Sequence, residues 1–278
     1  MGMLTGKVAV VTGATSGIGR RTVERFVEEG AKVMCCGRRA ALGATLEQAL
    51  GAERCRFMRA DVTQEADVER LIAGCLALWG RIDCLFNNAG GPAPLGGIES
   101  TPVEGFDAAM ATLVRSVMLG MKHAAPVMVK QGAGSIINNG SVAAVRAGFS
   151  SLTYSAAKAA VVHLSNCVAM QLGERNVRVN CISPGGIATG IFGKALGLST
   201  EAAEKTAEAV KAGLAKMQPI PRAGITDDIA NAAVFLASDQ SSFVNGHNLV
   251  VDGGLVGGRM WSVQQAAVAG MKQAFGSA

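Results

Sequence analysis

Tyr154 is the only tyrosine in 278 residues, and it stands four positions before Lys158 in the stretch SSLTYSAAK, residues 150–158. Residues at i and i+4 of a helix share one face, about one turn apart. An ammonium held near a phenol favours the phenolate and lowers a tyrosine pKa from its reference of about 10. A group that exchanges a proton with an alcohol near neutral pH needs that property. Ser141 closes the run GSIINNGS, 13 residues upstream (154 − 141). If that run is a parallel strand, the hydroxyl sits at its carboxyl end, where such sheets bind ligands.

A second cluster stands near the N-terminus. Thr12-Gly13-Ala14-Thr15-Ser16-Gly17-Ile18-Gly19 follows directly on the apolar run KVAVVTG and opens the amphipathic stretch TSGIGRRTVERFVEEG. Glycines at this spacing let a backbone turn tightly and approach a diphosphate, which the next helix receives on its N-terminal amides. The end of the second strand, about 20 residues on, reads the adenine-side ribose in such units. An aspartate there would hold both ribose hydroxyls, but this chain has Gly37-Arg38-Arg39. A guanidinium suits a phosphate in geometry and charge, so Arg38 favours NADP(H), with NAD(H) the alternative.

These residues need a scaffold that brings strand ends together, and the sequence supplies one. Seven short runs rich in β-branched and apolar residues (KVAVVTG, AKVMCCG, RCRFMRADV, IDCLFNNAG, GSIINNGS, VRVNCISPG and GHNLVVDGG) alternate with stretches of helical spacing. The pattern predicts an α/β fold: a single-domain, Rossmann-like, doubly wound parallel sheet of about seven strands with helices on both faces. The long stretch VEGFDAAMATLVRSVMLGMKHAAPVMVKQ reads as a helix interrupted late by Pro126. Residues 1–254 form the dinucleotide-binding and catalytic domain, with a substrate lid over about 188–221, where the regular alternation lapses. Residues 255–278 form a tail of the same domain, with Trp261 and a further helix.

Composition narrows the function classes. Apolar residues make up 49% and charged residues 17%, enough for a sizeable core. The net charge of +5 comes from scattered basic residues without interleaved aromatics, which argues against a nucleic-acid surface. The seven cysteines form no C-x-x-C pair, and His123, His163 and His247 share no ligand spacing, so no metal site is expected. Free thiols suit a reducing compartment. The N-terminus lacks a signal-peptide core, and no apolar run is long enough to span a bilayer, so a cytoplasmic protein without membrane partners is expected.

The combination resembles the short-chain dehydrogenase/reductase family, over nearly the whole stretch from Lys7 to Gly254. The glycine loop matches its TGxxxGxG, Asp61-Val62 its adenine-contacting pair, and Asn87-Asn88-Ala89-Gly90 its NNAG. Ser141, Tyr154 and Lys158 match the catalytic serine and YxxxK, and Pro184-Gly185 with Ile187 and Thr189 matches the segment that holds the nicotinamide carboxamide. The resemblance implies that Gly13, Thr15, Ser16, Gly17, Ile18 and Gly19 bind cofactor, as do Asn88, Ala89 and Gly90. It implies that Ser141 orients the substrate oxygen and Tyr154 transfers the proton. Lys158 would lower the Tyr154 pKa and bind the nicotinamide ribose. The implied activity interconverts a secondary alcohol and a ketone in a homotetramer built on the helices near 104–125 and Tyr154. The small, apolar NNAGGPAPLGG suggests a compact apolar or cyclic substrate, with a 3-oxoacyl-thioester reductase as the rival reading.

One position departs from the family pattern. The stretch FDAAMATLVRSVMLG has Leu113 where the family carries an asparagine that helps hold a water linking the lysine to solvent. Leucine has no side-chain hydrogen bond to offer. Either the proton leaves by other groups, or the chain is a nucleotide-binding homologue with impaired catalysis.

Overall fold

The computed structural model describes residues 2–276. The seven expected runs are the seven strands: β1 (Val8–Thr12), β2 (Lys32–Gly37), β3 (Cys55–Arg59), β4 (Cys84–Asn87), β5 (Gly134–Asn139), β6 (Val177–Pro184) and β7 (Asn248–Val251). They pair in the order β3-β2-β1-β4-β5-β6-β7, every pair parallel. The order reverses between β1 and β4, so the loops after these strands diverge and leave a crevice at their carboxyl ends.

Alternation along the strands divides the core. Ala9, Val11, Val33, Cys35, Phe86, Ile137 and Ile182 face one layer, built from α1 (Gly17–Glu28), α2 (Ala40–Leu50) and α10 (Thr226–Ala237). Val8, Val10, Met34, Cys36, Leu85, Ile136 and Val179 face the other, built from α3 (Glu65–Trp79), α5 (Ser116–Gln131) and α6 (Leu152–Gly173). Because both faces are covered, the inner strands are apolar throughout rather than alternating. Glycines in the left-handed region close α3 at Gly80 and α5 at Gly132.

The long helical stretch corrects the sequence reading. The helix runs on through Pro126, inside α5, and its irregularity lies earlier. Between α4 (Val103–Met110) and α5, residues Ala111–Arg115 form a π turn. The proline signal pointed to the wrong place because a helix can absorb a proline with one lost hydrogen bond. A π turn, by contrast, carries no residue signature and is set by tertiary packing.

The segment after β6 folds into three short helices, α7 (Ile191–Ala195), α8 (Thr200–Ala209) and α9 (Lys211–Leu214). The tail forms α11 (Trp261–Ala274), none of whose residues is buried. No helix among the described residues is long and apolar enough to cross a membrane.

Candidate active site

Every site residue named from the sequence lines one cleft of about 510 Å³ at the carboxyl ends of the strands. The glycine loop forms one wall between β1 and α1. Gly13 (φ +70°) and Gly17 (φ +54°) adopt the left-handed region, and a Cβ on Gly13 would lie 2.7 Å from Ala89 Cα. The loop and the NNAG segment therefore touch backbone to backbone, which only a glycine permits there. Polar links fix the contact. Thr12 Oγ1 accepts from the Asn88 and Ala89 amides, each at 3.0 Å, and Asn88 Nδ2 donates to the Thr12 carbonyl at 3.0 Å.

The network continues to Lys158. Asn139 Nδ2 donates to Asn88 Oδ1 at 3.0 Å, and Lys158 Nζ donates to the Asn139 carbonyl at 2.6 Å. On the opposite face of β5, Asn138 accepts from Asn87 Nδ2 and donates to Ser165 Oγ, both at 2.9 Å. This buried ladder clamps α6 to the sheet and so fixes where its first turns present Tyr154 and Lys158. The Ser151 hydroxyl, at the helix N-cap, accepts from the Tyr154 amide at 3.4 Å. Ser141 lies just beyond β5, with its hydroxyl accepting from the Ala143 amide at 3.1 Å.

The electrostatics differ from the simple expectation that an ammonium depresses the phenol. Lys158 Nζ lies over the Tyr154 ring, 5.6 Å from its centroid. Burial dominates both groups: it pushes the Tyr154 phenol up to about 12, with the Ser141 hydroxyl opposing, and pushes Lys158 down to about 8. Desolvation disfavours whichever form is charged, so it moves an acid up and a base down.

Leu113 sits in the π turn, 1% exposed, in an apolar cluster with Ala109 and Ala157 against which Tyr154 packs. It therefore forms part of the wall beside the phenol ring. Two groups that sequence reasoning passed over also line the cleft. Arg39 donates from Nε and Nη2 to Thr15 Oγ1 at 3.1 and 2.8 Å and from Nη2 to Ser16 Oγ at 2.7 Å, whereas Arg38 stands exposed at the rim. Lys194 and Glu204, from α7 and α8, close the far side. Vicinal arginines give no sequence signal of which one turns inward. Strand alternation stops at Gly37, where β2 ends.

Asp61 Oδ1 accepts from the Thr63 amide and hydroxyl, which holds Asp61 and Val62 at the cleft edge. Across the cleft, Pro184, Gly185, Ile187 and Thr189 continue from β6. A Cβ on Gly185 would lie 2.7 Å from Asp252 Cα, and Ile187 is bridged to Gly224.

Residues 13–256 match the family model described as enoyl-(acyl carrier protein) reductase. The chain is 41% identical over 256 residues to momilactone A synthase of Oryza sativa subsp. japonica, covering 91% of this chain and 90% of the relative. It is 39% identical over 255 residues to (+)-borneol dehydrogenase 2 of Salvia officinalis, covering 90% and 89% respectively. The crystal structure of levodione reductase matches with a TM-score of 0.81 at 32% identity, over 92% of this chain and 100% of that one. Sheet order, cleft and relatives agree: the chain belongs to the short-chain dehydrogenase/reductase family. It is accordingly an oxidoreductase of the alcohol dehydrogenase and ketone reductase kind, in a family that binds nicotinamide dinucleotides.

Proposed function

We propose that this protein is an active NADP(H)-dependent enzyme that interconverts a secondary alcohol and a ketone, with Tyr154 as its general acid and base. The observation that carries the reading is the convergence of Ser141, Tyr154 and Lys158 with the glycine loop in one cleft. The cleft also fits a dinucleotide in its own chemistry. Arg39 Nη1 and Asn139 Oδ1 are buried without partners among the described residues, a donor and an acceptor set toward a ligand. Arg39, rather than Arg38, takes the 2′-phosphate in this reading, because its guanidinium is oriented by Thr15 and Ser16.

When bound, the nicotinamide supplies or takes up the hydride. Ser141 hydrogen-bonds the substrate oxygen and orients it toward Tyr154. In reduction, the phenol, kept protonated by its raised pKa, gives its proton to that oxygen. The Lys158 ammonium over its ring stabilises the phenolate that this leaves, and in oxidation that phenolate takes the proton back from the alcohol. The Asn139 carbonyl holds the Lys158 amine in place throughout. Leu113 excludes water from the phenol rather than carrying a proton, so Lys158 exchanges its protons with solvent in the open cleft.

The small or apolar Gly91, Pro92, Ile191 and Phe192 lining the cleft support a compact, cyclic substrate. A homotetramer is supported by the apolar groove between α5 and α6, lined by Met118, Met121, Val129, Leu164 and Val168. The test is spectrophotometric. A panel of cyclic ketones and secondary alcohols, with acetoacetyl thioester as the rival substrate, should give NADPH-dependent turnover that Tyr154→Phe lowers at least 100-fold, within the roughly 10²–10⁴ range of acid–base catalysis. Wild-type turnover in Tyr154→Phe would remove the mechanism. Brisk thioester reduction beside weak ketone reduction would favour the rival.

A further inference from the structure

Two cations from different elements converge on one neutral hydroxyl. Arg39 Nη2 donates to Ser16 Oγ at 2.7 Å, and Lys194 Nζ, from α7, approaches the same oxygen at 3.5 Å. A hydroxyl is a weak acceptor for two cations, and with Arg39 assigned to the ribose phosphate, Lys194 is the one set at Ser16, the N-cap of the α1 end that receives a diphosphate. The geometry is that of an anion site held open between the glycine loop and the segment that covers it. Lys194 meanwhile is occupied elsewhere: its Nζ donates to Glu204 Oε1 at 2.7 Å, an ion pair with both side chains partly exposed. Glu204 in turn is pressed against backbone, since a Cβ on Gly190 would lie 2.9 Å from its carboxyl carbon. A carboxylate beside an anion site repels the ligand the site is built for, so Glu204 holds Lys194 and opposes the anion at once.

We propose that Lys194 is a ligand of the cofactor diphosphate carried by the lid, and that Glu204 is its built-in competitor. Lys194 leaves Glu204 for the diphosphate and thereby pins residues 191–214 over the glycine loop. This rests on the dinucleotide-binding reading above. The exchange sets both affinity and release: the pair that reforms between Lys194 and Glu204 helps the lid let go. A lid brace with no ligand role makes a different prediction, because removing either partner of a brace loosens it.

Isothermal titration of ADP-ribose, 2′-AMP and adenosine into the wild type, Lys194→Met and Glu204→Gln separates the two. ADP-ribose carries the diphosphate, 2′-AMP only the ribose phosphate, and adenosine neither. Lys194→Met should weaken ADP-ribose about tenfold, the scale of one charge-assisted hydrogen bond, and leave 2′-AMP and adenosine unchanged. Glu204→Gln should tighten ADP-ribose about threefold or more, for the repulsion removed. Hydrogen exchange across 191–214 should slow with ADP-ribose in the wild type and not in Lys194→Met. Unchanged ADP-ribose affinity in Lys194→Met overturns the proposal, as does weakening by both substitutions or an equal loss for 2′-AMP. If the wild type binds none of the three ligands, the dinucleotide reading itself falls.

Discussion

Lys158 should make this protein more stable as the solution becomes alkaline, and its replacement should erase that dependence. The side chain is 4% exposed, takes part in no salt bridge found among the described residues, and has the Asn139 carbonyl as its acceptor. Burial lowers it from the ordinary 10.5 to about 8. Between those values the unfolded chain keeps a proton that the folded chain has released. Unfolding therefore takes up a proton, and stability climbs with pH through the window from about 8 to 10.5. The gap between the two values corresponds to about 3 kcal/mol, gained at up to about 1.4 kcal/mol per pH unit. Below about pH 8 the cost of the buried ammonium is borne in full. Lys158→Met keeps the length of the stem, removes the titration and leaves the Asn139 carbonyl without its donor, a pH-independent loss of about 1–2 kcal/mol. Urea unfolding of both proteins from pH 7 to 10.5 isolates the effect. The stability of the methionine variant relative to wild type should fall by about 3 kcal/mol across that range. Tyr154, raised to about 12, costs stability above pH 10 but does so in both proteins and cancels. A difference that stays flat with pH would refute the claim that the ammonium is desolvated.

Three further outcomes are expected. Arg39→Ala should weaken NADPH binding about tenfold or more, as loss of a charged phosphate contact does, and NADH about twofold or less. Fluorescence titration checks this, and a larger effect from Arg38→Ala would reverse the assignment. Leu113→Asn should cost about 2–4 kcal/mol of stability by placing an amide in the cluster of Ala109 and Ala157, and it should not raise kcat; steady-state kinetics with denaturation would expose a missing relay if kcat rose. Gly13→Ala should abolish measurable dinucleotide binding while circular dichroism stays near native, since its Cβ meets the Ala89 backbone at 2.7 Å; retained affinity would mean that the loop can shift.

The strands were legible because their apolar, β-branched runs are separated by helical spacing and glycine, and all seven fall where the pattern puts them. The cleft was legible for the same reason. In a parallel sheet, the ends of β1, β4, β5 and β6 must lie together, and the marked residues follow those ends. Three things were hidden. Which of Arg38 and Arg39 turns inward depends on a loop after the strand period has ended. The Lys194–Glu204 pair joins two short helices in the one region where the sequence has no firm periodicity. The balance of burial against the Ser141 hydrogen bond at Tyr154 depends on packing depth, which spacing along a helix does not encode.

The π turn at 111–115 also bears on how this chain can change length. Each helical residue turns the chain by about 100°, so deleting one residue there would restore a regular helix and swing everything after it round by that angle. Gly120 would leave Asn87, where even a Cβ would collide with Oδ1, and a larger residue would arrive in its place. Met121, Ala124 and Met128 would turn out of the core. Single-residue deletions in 111–115 should therefore be far more damaging than substitutions, even though Leu113 itself departs from the family pattern. What is fixed in this stretch is the number of residues.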